Sequence, residues 1–424
     1  MKLWDNIRES VLVREAATVV SGNVLAQVIS MLAYLVLTRI FSPSDYALFN
    51  IFYSYIEVLV ILSTCKYELA VVVAQDDRET SAVMRFALRL NAVVALLLLT
   101  LVVVLYFAGG LPDSFSSLGA IVLLIPPMVF FSGSSRVYAA LFNRLHRYRL
   151  IAAYETTNAS AGFVLKALFG LVGLKQAGLP LGAVLGQASA NLLYRFRLRG
   201  VALPKVSRSE QVAAARKHRN FPLFVASKDF INSLSASLPF LWLAMYFDRA
   251  DVGLFGLAFT VVFRPVNLIN NACERVLYAR TAESVRAHRS IGSVIRHFLL
   301  VVAAVAVPVA VVGWFVAEPL FTFLFGSNWT GCGVYVRALL PWIVLSLSST
   351  SLMFVSNIFS TQRIEFGFYL VLFVLRVAAI AVGIHAGSFL LAIRLYATAG
   401  ALVAASLLVW YLWQVRRYER SLTN

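Results

Sequence analysis

Phe41-Ser-Pro-Ser-Asp-Tyr-Ala-Leu-Phe49 returns at an offset of 206 residues as Phe247-Asp-Arg-Ala-Asp-Val-Gly-Leu-Phe255. Both copies open on Phe, carry a small residue and then Asp at positions four and five, a small residue at seven, and close on Leu-Phe. Each copy joins one apolar run of about 20 residues to the next. At the far end of the second run, Glu68 and Glu274 keep the same offset. An internal repeat of this length predicts two structurally related halves, an architecture common in proteins that alternate access between two membrane faces.

Working outward, the 424 residues are 60% hydrophobic and 13% charged, and the mean hydropathy is +0.80. A soluble domain carries about 25% charged residues. The apolar residues here come in blocks of the length that crosses a hydrocarbon core, so this is a polytopic membrane protein. Cys65, Cys273 and Cys332 lie far apart without a Cys-x-x-Cys, which argues against a disulfide framework or a zinc site. The first apolar run is too long for a signal-peptide core and lacks a small-residue cleavage site, and reads as a signal anchor.

The pattern predicts an all-α protein with twelve membrane spans, at 17–40, 46–65, 88–107, 118–137, 151–172, 178–194, 223–247, 252–273, 298–317, 334–354, 364–384 and 388–412. The expected organisation is an amphipathic segment at 1–15, a six-helix lobe at 16–195, a basic linker at 196–221, a second six-helix lobe at 222–413, and a tail at 414–424. Of the 37 Lys and Arg, 28 fall on segments that this division puts on one side, three on the other side, and six within spans. That asymmetry is the positive-inside rule, and it predicts that both termini are cytoplasmic. The net charge of +17 is then topology and contact with anionic lipid heads, not a nucleic-acid site.

Trp4, Ile7, Val11 and Leu12 suggest a helix lying on the inner leaflet. Asn23 and Gln27, four apart, share a face of span 1 and suit an interhelical hydrogen bond. Pro126-Pro127 removes two backbone donors and predicts a break or kink in span 4. Gly178, Gly182 and Gly186 form a smooth face on span 6 for close helix approach.

No enzyme signature is present: no His-Glu-x-x-His, no Gly-x-Ser-x-Gly, no Walker loop, and no histidines at metal-ligand spacing. Asp248-Arg-Ala-Asp251 superficially resembles a glycosyltransferase metal pair, but the first turn copy has Ser42 where Asp248 lies, so both read as turn chemistry. What stands out is charge at membrane depth, which is costly and usually faces a bundle interior. The cations are Lys166, Arg264 and Arg376, with Arg337 and Arg394 near the outer ends of spans 10 and 12 and Lys228 near the inner end of span 7. Lys166 aligns with Arg376 at an offset of 210, which predicts matching sites in the two halves. Glu57, Glu155 and Asp229 read as the embedded acids; salt bridges of Glu57 with Arg264 and of Lys228 with a nearby acid are the plain structural alternative. Surplus positive charge suits an anionic substrate, and Arg suits phosphate through its bidentate fork. Glu57 and Asp229 are candidates for coupling to H+ or Na+, with no other cofactor and no metal expected.

The run from Gln27 to Ala70, with Arg39-Ile-Phe-Ser-Pro-Ser-Asp45-Tyr and Tyr67-Glu-Leu-Ala70, resembles the start of Wzx-type polysaccharide-biosynthesis flippases. So do Asn220-Phe-Pro222, Tyr246-Phe-Asp through Gly253-Leu-Phe255, Phe325-Gly-x-x-Trp329-x-x-x-Gly333-x-Tyr335, and the helix of Arg376 and Gly383. The resemblance covers nearly the whole chain. It implies a member of the multidrug/oligosaccharidyl-lipid/polysaccharide exporter superfamily, with two pseudo-symmetric six-helix bundles around a central cavity. The implied substrate is an undecaprenyl-pyrophosphate-linked oligosaccharide of an O-antigen or lipopolysaccharide pathway, moved from the inner to the outer leaflet of a bacterial plasma membrane. Membrane lipids and the pathway's polymerase are the implied partners. Family cavity cations carry over to Lys166, Arg264 and Arg376. Ala47 stands where the family often has Gly, which requires a backbone there that is not left-handed. Twelve spans rather than fourteen count against a lipid II flippase. A cation-coupled drug exporter, which wants cavity acids, and a membrane glycosyltransferase or polymerase, which wants a large outer loop, fit less well, and a purely structural scaffold leaves the cations unexplained.

Overall fold

A computed structural model describes residues 11–111, 115 and 118–423, and their side chains except those of 11–24, 275, 279 and 423. Residues 1–10 of the expected surface segment at 1–15, the side chains of its remainder, and the Asn23 side of the Asn23/Gln27 pair lie outside the described groups. The described residues are helical throughout, without a strand among them.

The first unit, Met1–Ser237, begins with α1 (Val11–Ile40), α2 (Pro43–Thr64), the short α3 (Tyr67–Val73) and α4 (Asp77–Phe107). A 3-10 turn at Gly119–Leu124 leads into α5 (Ile125–Arg144), followed by α6 (Tyr148–Leu171), α7 (Lys175–Leu198) and the surface helix α8 (Arg208–Lys217). A π-helical turn at Phe221–Ala226 opens α9 (Ser227–Tyr246), inside which the second unit, Leu238–Asn424, begins. That unit continues with α10 (Arg249–Arg286), α11 (Gly292–Phe325), α12 (Cys332–Thr350), the short α13 (Phe354–Ile358), α14 (Gln362–His385) and α15 (Phe389–Thr423). Every one of the twelve predicted spans has its helix. Among the described residues, eight helices are long and apolar enough to cross a membrane, a set that omits α1 (a shorter apolar stretch at Leu25–Ile40), α6, α7 and α9. The run Glu155-Thr-Thr-Asn-Ala-Ser160 shows why α6 falls short. The 38 residues of α10 span about 57 Å at 1.5 Å per residue, well beyond the hydrocarbon core, so its basic end stands in the headgroup and aqueous region.

The repeated turn is helix-start chemistry in both copies. The Ser42 N–H donates to Asp45 Oδ2 at 2.9 Å while the Asp45 N–H donates to Ser42 Oγ at 3.3 Å, a capping box with Pro43 in the first turn. In the second copy Asp248 caps α10 by accepting from the Ala250 N–H at 2.9 Å. Ala47 is helical and fully buried, which satisfies the condition for losing the glycine. Pro126 and Pro127 fall in the first turn of α5, directly after the 3-10 stretch, where a missing N–H costs nothing. The expected break is there.

Close approach of α6 and α7 rests on glycine, as the spacing predicts. A Cβ on Gly182 would lie 2.5 Å from Lys166 Cγ and 2.6 Å from its backbone nitrogen, and one on Gly186 would lie 2.6 Å from Gly162 Cα. Gly182→Val should therefore lower the unfolding free energy by about 1–3 kcal/mol, the usual cost of overpacking, read as a lower melting midpoint in detergent.

Left-handed residues end the helices at corresponding places: His146 and Ser360, and Gly173 and Gly387, each pair 214 apart. α6 and α14, both 24 residues long, start 214 apart as well. The repeat thus lengthens by eight residues between its first turn and its fifth helix.

Candidate functional site

In the first unit, Lys166 projects from α6, its stem pressed by Gly182 of α7. Its Nζ lies 4.7 Å from the centroid of Phe49, the closing residue of the repeated turn. A cation over an aromatic face gains about 0.5–2 kcal/mol, more as water is excluded.

In the second unit, Arg376 of α14 is only 3% exposed. Its guanidinium carbon lies 4.7 Å from the Trp342 ring of α12 and 4.3 Å from the Tyr396 ring of α15, so one side chain ties three helices together. Phe263 of α10 backs Trp342 at 4.5 Å, and Gly400 lets α15 approach the indole, to which a Cβ would come within 2.8 Å. Arg264 follows Phe263 and is exposed, immediately before Pro265 inside the helix.

The helix ends correct one expectation. With α6 and α14 equated at 214, Lys166 is residue 19 of its helix and Arg376 residue 15 of its own. The two share a helical face but differ in depth by one turn, about 6 Å.

The remaining residues are more engaged than the sequence suggests. Glu57 is exposed and sits 3.6 Å from Arg136. Asp229 meets Lys66 at 2.8 Å, so its partner is not the neighbouring Lys228, which is exposed. Lys66 itself is held left-handed together with Cys65, a strained pair between α2 and α3 that the bridge to Asp229 pins down. Each candidate coupling carboxylate thus faces a cation from a segment distant in sequence. Arg337 donates from Nε to the Trp314 carbonyl at 2.9 Å and pairs with Glu318 at 3.2 Å, at the far end of its lobe from the basic loops. Arg394 is exposed on α15.

Two buried acids were missed. Glu68 is 6% exposed, and among the described residues its Oε2 accepts no hydrogen bond; Glu365, in the first turn of α14, is 4% exposed. The sequence pattern used Glu68 and Glu274 only as register marks, although a carboxylate in an apolar run was the available signal.

The linker helix α8 is strapped to the start of α4. Arg78 pairs with Glu210, Lys217 and His218 both reach Glu79 (2.7 and 2.8 Å), and Tyr67 donates to the Ala215 carbonyl at 3.2 Å. The Ser207 backbone N–H, then Arg78, hold the Glu210 carboxyl down at about 2. A carboxyl lowered on folding contributes stability that is complete above its ordinary value and is lost as pH falls through the lowered one. Hydrogen exchange of the α8 amides, corrected for intrinsic rate, should therefore be constant from neutral pH to about 4.5 and rise progressively toward about 2. Glu210→Gln should remove part of that pH dependence and leave the part due to Glu79, which, against its burial, Lys217 and His218 at the end of α8 hold at about 2 as well.

Helices throughout the described residues, eight of them long and apolar enough to cross a membrane, define the class: a polytopic membrane protein. The family described as "Polysaccharide biosynthesis protein" matches residues 36–334, more than half of the sequence, and the chain belongs to that family. It is 23% identical over 299 residues, 69% of its length, to the succinoglycan biosynthesis transport protein ExoT of Rhizobium meliloti (strain 1021), of which the match spans 58%. Among solved structures it resembles the lipid II flippase MurJ in an inward closed conformation, with a TM-score of 0.74 at 10% identity over 95% of this chain and 91% of that one. An inward-facing multidrug resistance MATE family transporter of the MOP superfamily gives a TM-score of 0.66 at 13% identity, covering 94% and 99%. At these identities the structural likeness speaks for the fold.

Proposed function

We propose that this protein moves an undecaprenyl-diphosphate-linked oligosaccharide from the inner to the outer leaflet of a bacterial plasma membrane, by alternating access of its two lobes. What supports the reading is that a chain of the polysaccharide biosynthesis family carries cations on helices expected to span: Lys166 seated on Phe49, Arg264 exposed on α10, and Arg376 seated between Trp342 and Tyr396. A cation costs free energy in hydrocarbon, and an anionic headgroup that binds it recovers part of that cost. Lys166 and Arg264 are the more accessible, so they make first contact with the diphosphate; Arg376 holds its lobe in the shape that receives it. Thr156 and Ser160, one turn apart on α6, offer a polar face past which sugar can move while the prenyl tail stays in lipid. Coupling to H+ or Na+ and delivery to a polymerase belong to the same proposal.

The MATE-like fold supports a second reading, export of cationic drugs. Six embedded Lys and Arg weigh against it, since a cationic compound prefers acids. Proteoliposomes discriminate. A dye-labelled lipid-linked saccharide should become accessible to an impermeant quencher faster with protein than without, while a cationic efflux dye should not be transported. Dye transport without saccharide movement overturns the proposal.

A further inference from the structure

Where α11 meets α12 lies a shallow groove of about 500 Å³, open to the surface and lined by Glu318, Pro319, Thr322, Phe323, Thr330 and Arg337. That is within the size of small-molecule sites, about 300–1,000 Å³. We infer that it is a carbohydrate-binding pocket that takes one or two sugar units of the saccharide. The inference rests on the proposed substrate, and it moves Arg337 from the diphosphate to the sugar.

The lining has what a sugar ring requires. A pyranose offers hydroxyls that both donate and accept, spread around a C–H face. Arg337 is oriented by the Trp314 carbonyl at 2.9 Å and the Glu318 carboxylate at 3.2 Å, contacts that use two of the five donors in its fork. Glu318 supplies an acceptor beside those donors. Thr322 donates to the Glu318 carbonyl at 2.9 Å or to the Thr330 hydroxyl at 3.0 Å, and Thr330 donates to the Ser327 carbonyl at 2.8 Å, so the lone pairs left over serve as acceptors. Phe323, 78% exposed at the rim, provides an apolar face on which C–H groups can stack. A lone phosphate would meet the Glu318 charge, and a purely apolar ligand would strand the charged pair.

The walls are built to hold still. Gly333 lets α12 touch α11, since a Cβ there would lie 2.5 Å from Glu318 Cα. Trp329 is fully buried beneath the turn, Gly326 takes φ 103 to start it, and the Tyr335 hydroxyl donates to Asp251 Oδ1 at 2.8 Å. The Phe325-to-Tyr335 motif therefore shapes the pocket and ties it to the repeated turn. The charge asymmetry of the loops assigns this end to the outer face, where sugar emerges.

The test is saturation-transfer NMR of the purified full chain in detergent with three lipid-free probes, cellotetraose, chitotetraose and tetragalacturonic acid. Saturable transfer to at least one probe is expected. Phe323→Ala and Arg337→Lys, the latter keeping the charge but losing the fork, should each weaken it about tenfold while the melting temperature holds. No transfer to any probe, or equal transfer in both variants, overturns the inference. Sugar binding without translocation in the vesicle assay would leave this pocket standing and remove the flippase reading; translocation without sugar binding would do the reverse.

Discussion

Lys166→Ala should slow translocation of the lipid-linked saccharide by about 10- to 150-fold, the equivalent of losing one hydrogen bond to a charged group, 1.5–3 kcal/mol. The lysine stem is guided by Gly182 and its ammonium rests on Phe49, so the charge is presented in one place rather than sampled over many. Lys166→Arg should keep most of the rate, because a cation remains on the same helical face. Initial rates in vesicles check both variants, with folding monitored by melting temperature. An alanine variant that transports at the wild-type rate removes Lys166 from the mechanism.

Arg376→Ala should cost about 3–5 kcal/mol of stability, because it empties a buried volume and cancels two desolvated cation–π contacts. The effect should appear without any substrate, since the contacts join α14 to two other helices, α12 through Trp342 and α15 through Tyr396. Arg376→Met refills the space without charge, and replacing a buried ion by an apolar residue of similar size is often neutral or stabilising. That variant should melt within about 1 kcal/mol of wild type or above it, yet transport at least about tenfold more slowly if its charge serves the diphosphate. Full transport by the Met variant would make Arg376 a packing residue alone.

The helices were legible because the apolar runs are bounded by caps and breakers that survive in the structure. Ser42 and Asp248 cap the helices that follow the two copies of the repeated turn, and Pro126-Pro127 starts α5. The register between lobes was not legible. A shift of four residues moves a helix by one turn and preserves its face, so Lys166 and Arg376 align by pattern while sitting at different depths. The ion pairs were hidden for another reason. Arg136 and Lys66 lie on segments distant in sequence from Glu57 and Asp229, and only packing brings them together. Arg337 was visible as a cation near a span end, but Glu318 counted as loop, and the pocket they share with Thr322 and Thr330 depends on a contact that Gly333 makes possible.

Transport as proposed requires that side chains held within the membrane recognise an anionic lipid headgroup. The most direct test is the affinity of the purified protein for undecaprenyl diphosphate against undecaprenol, measured in the same detergent by native mass spectrometry. The diphosphate should bind at least about tenfold more tightly, and the Lys166→Ala/Arg264→Ala double variant should erase the difference. Equal binding of the two lipids by the wild-type protein would contradict headgroup recognition.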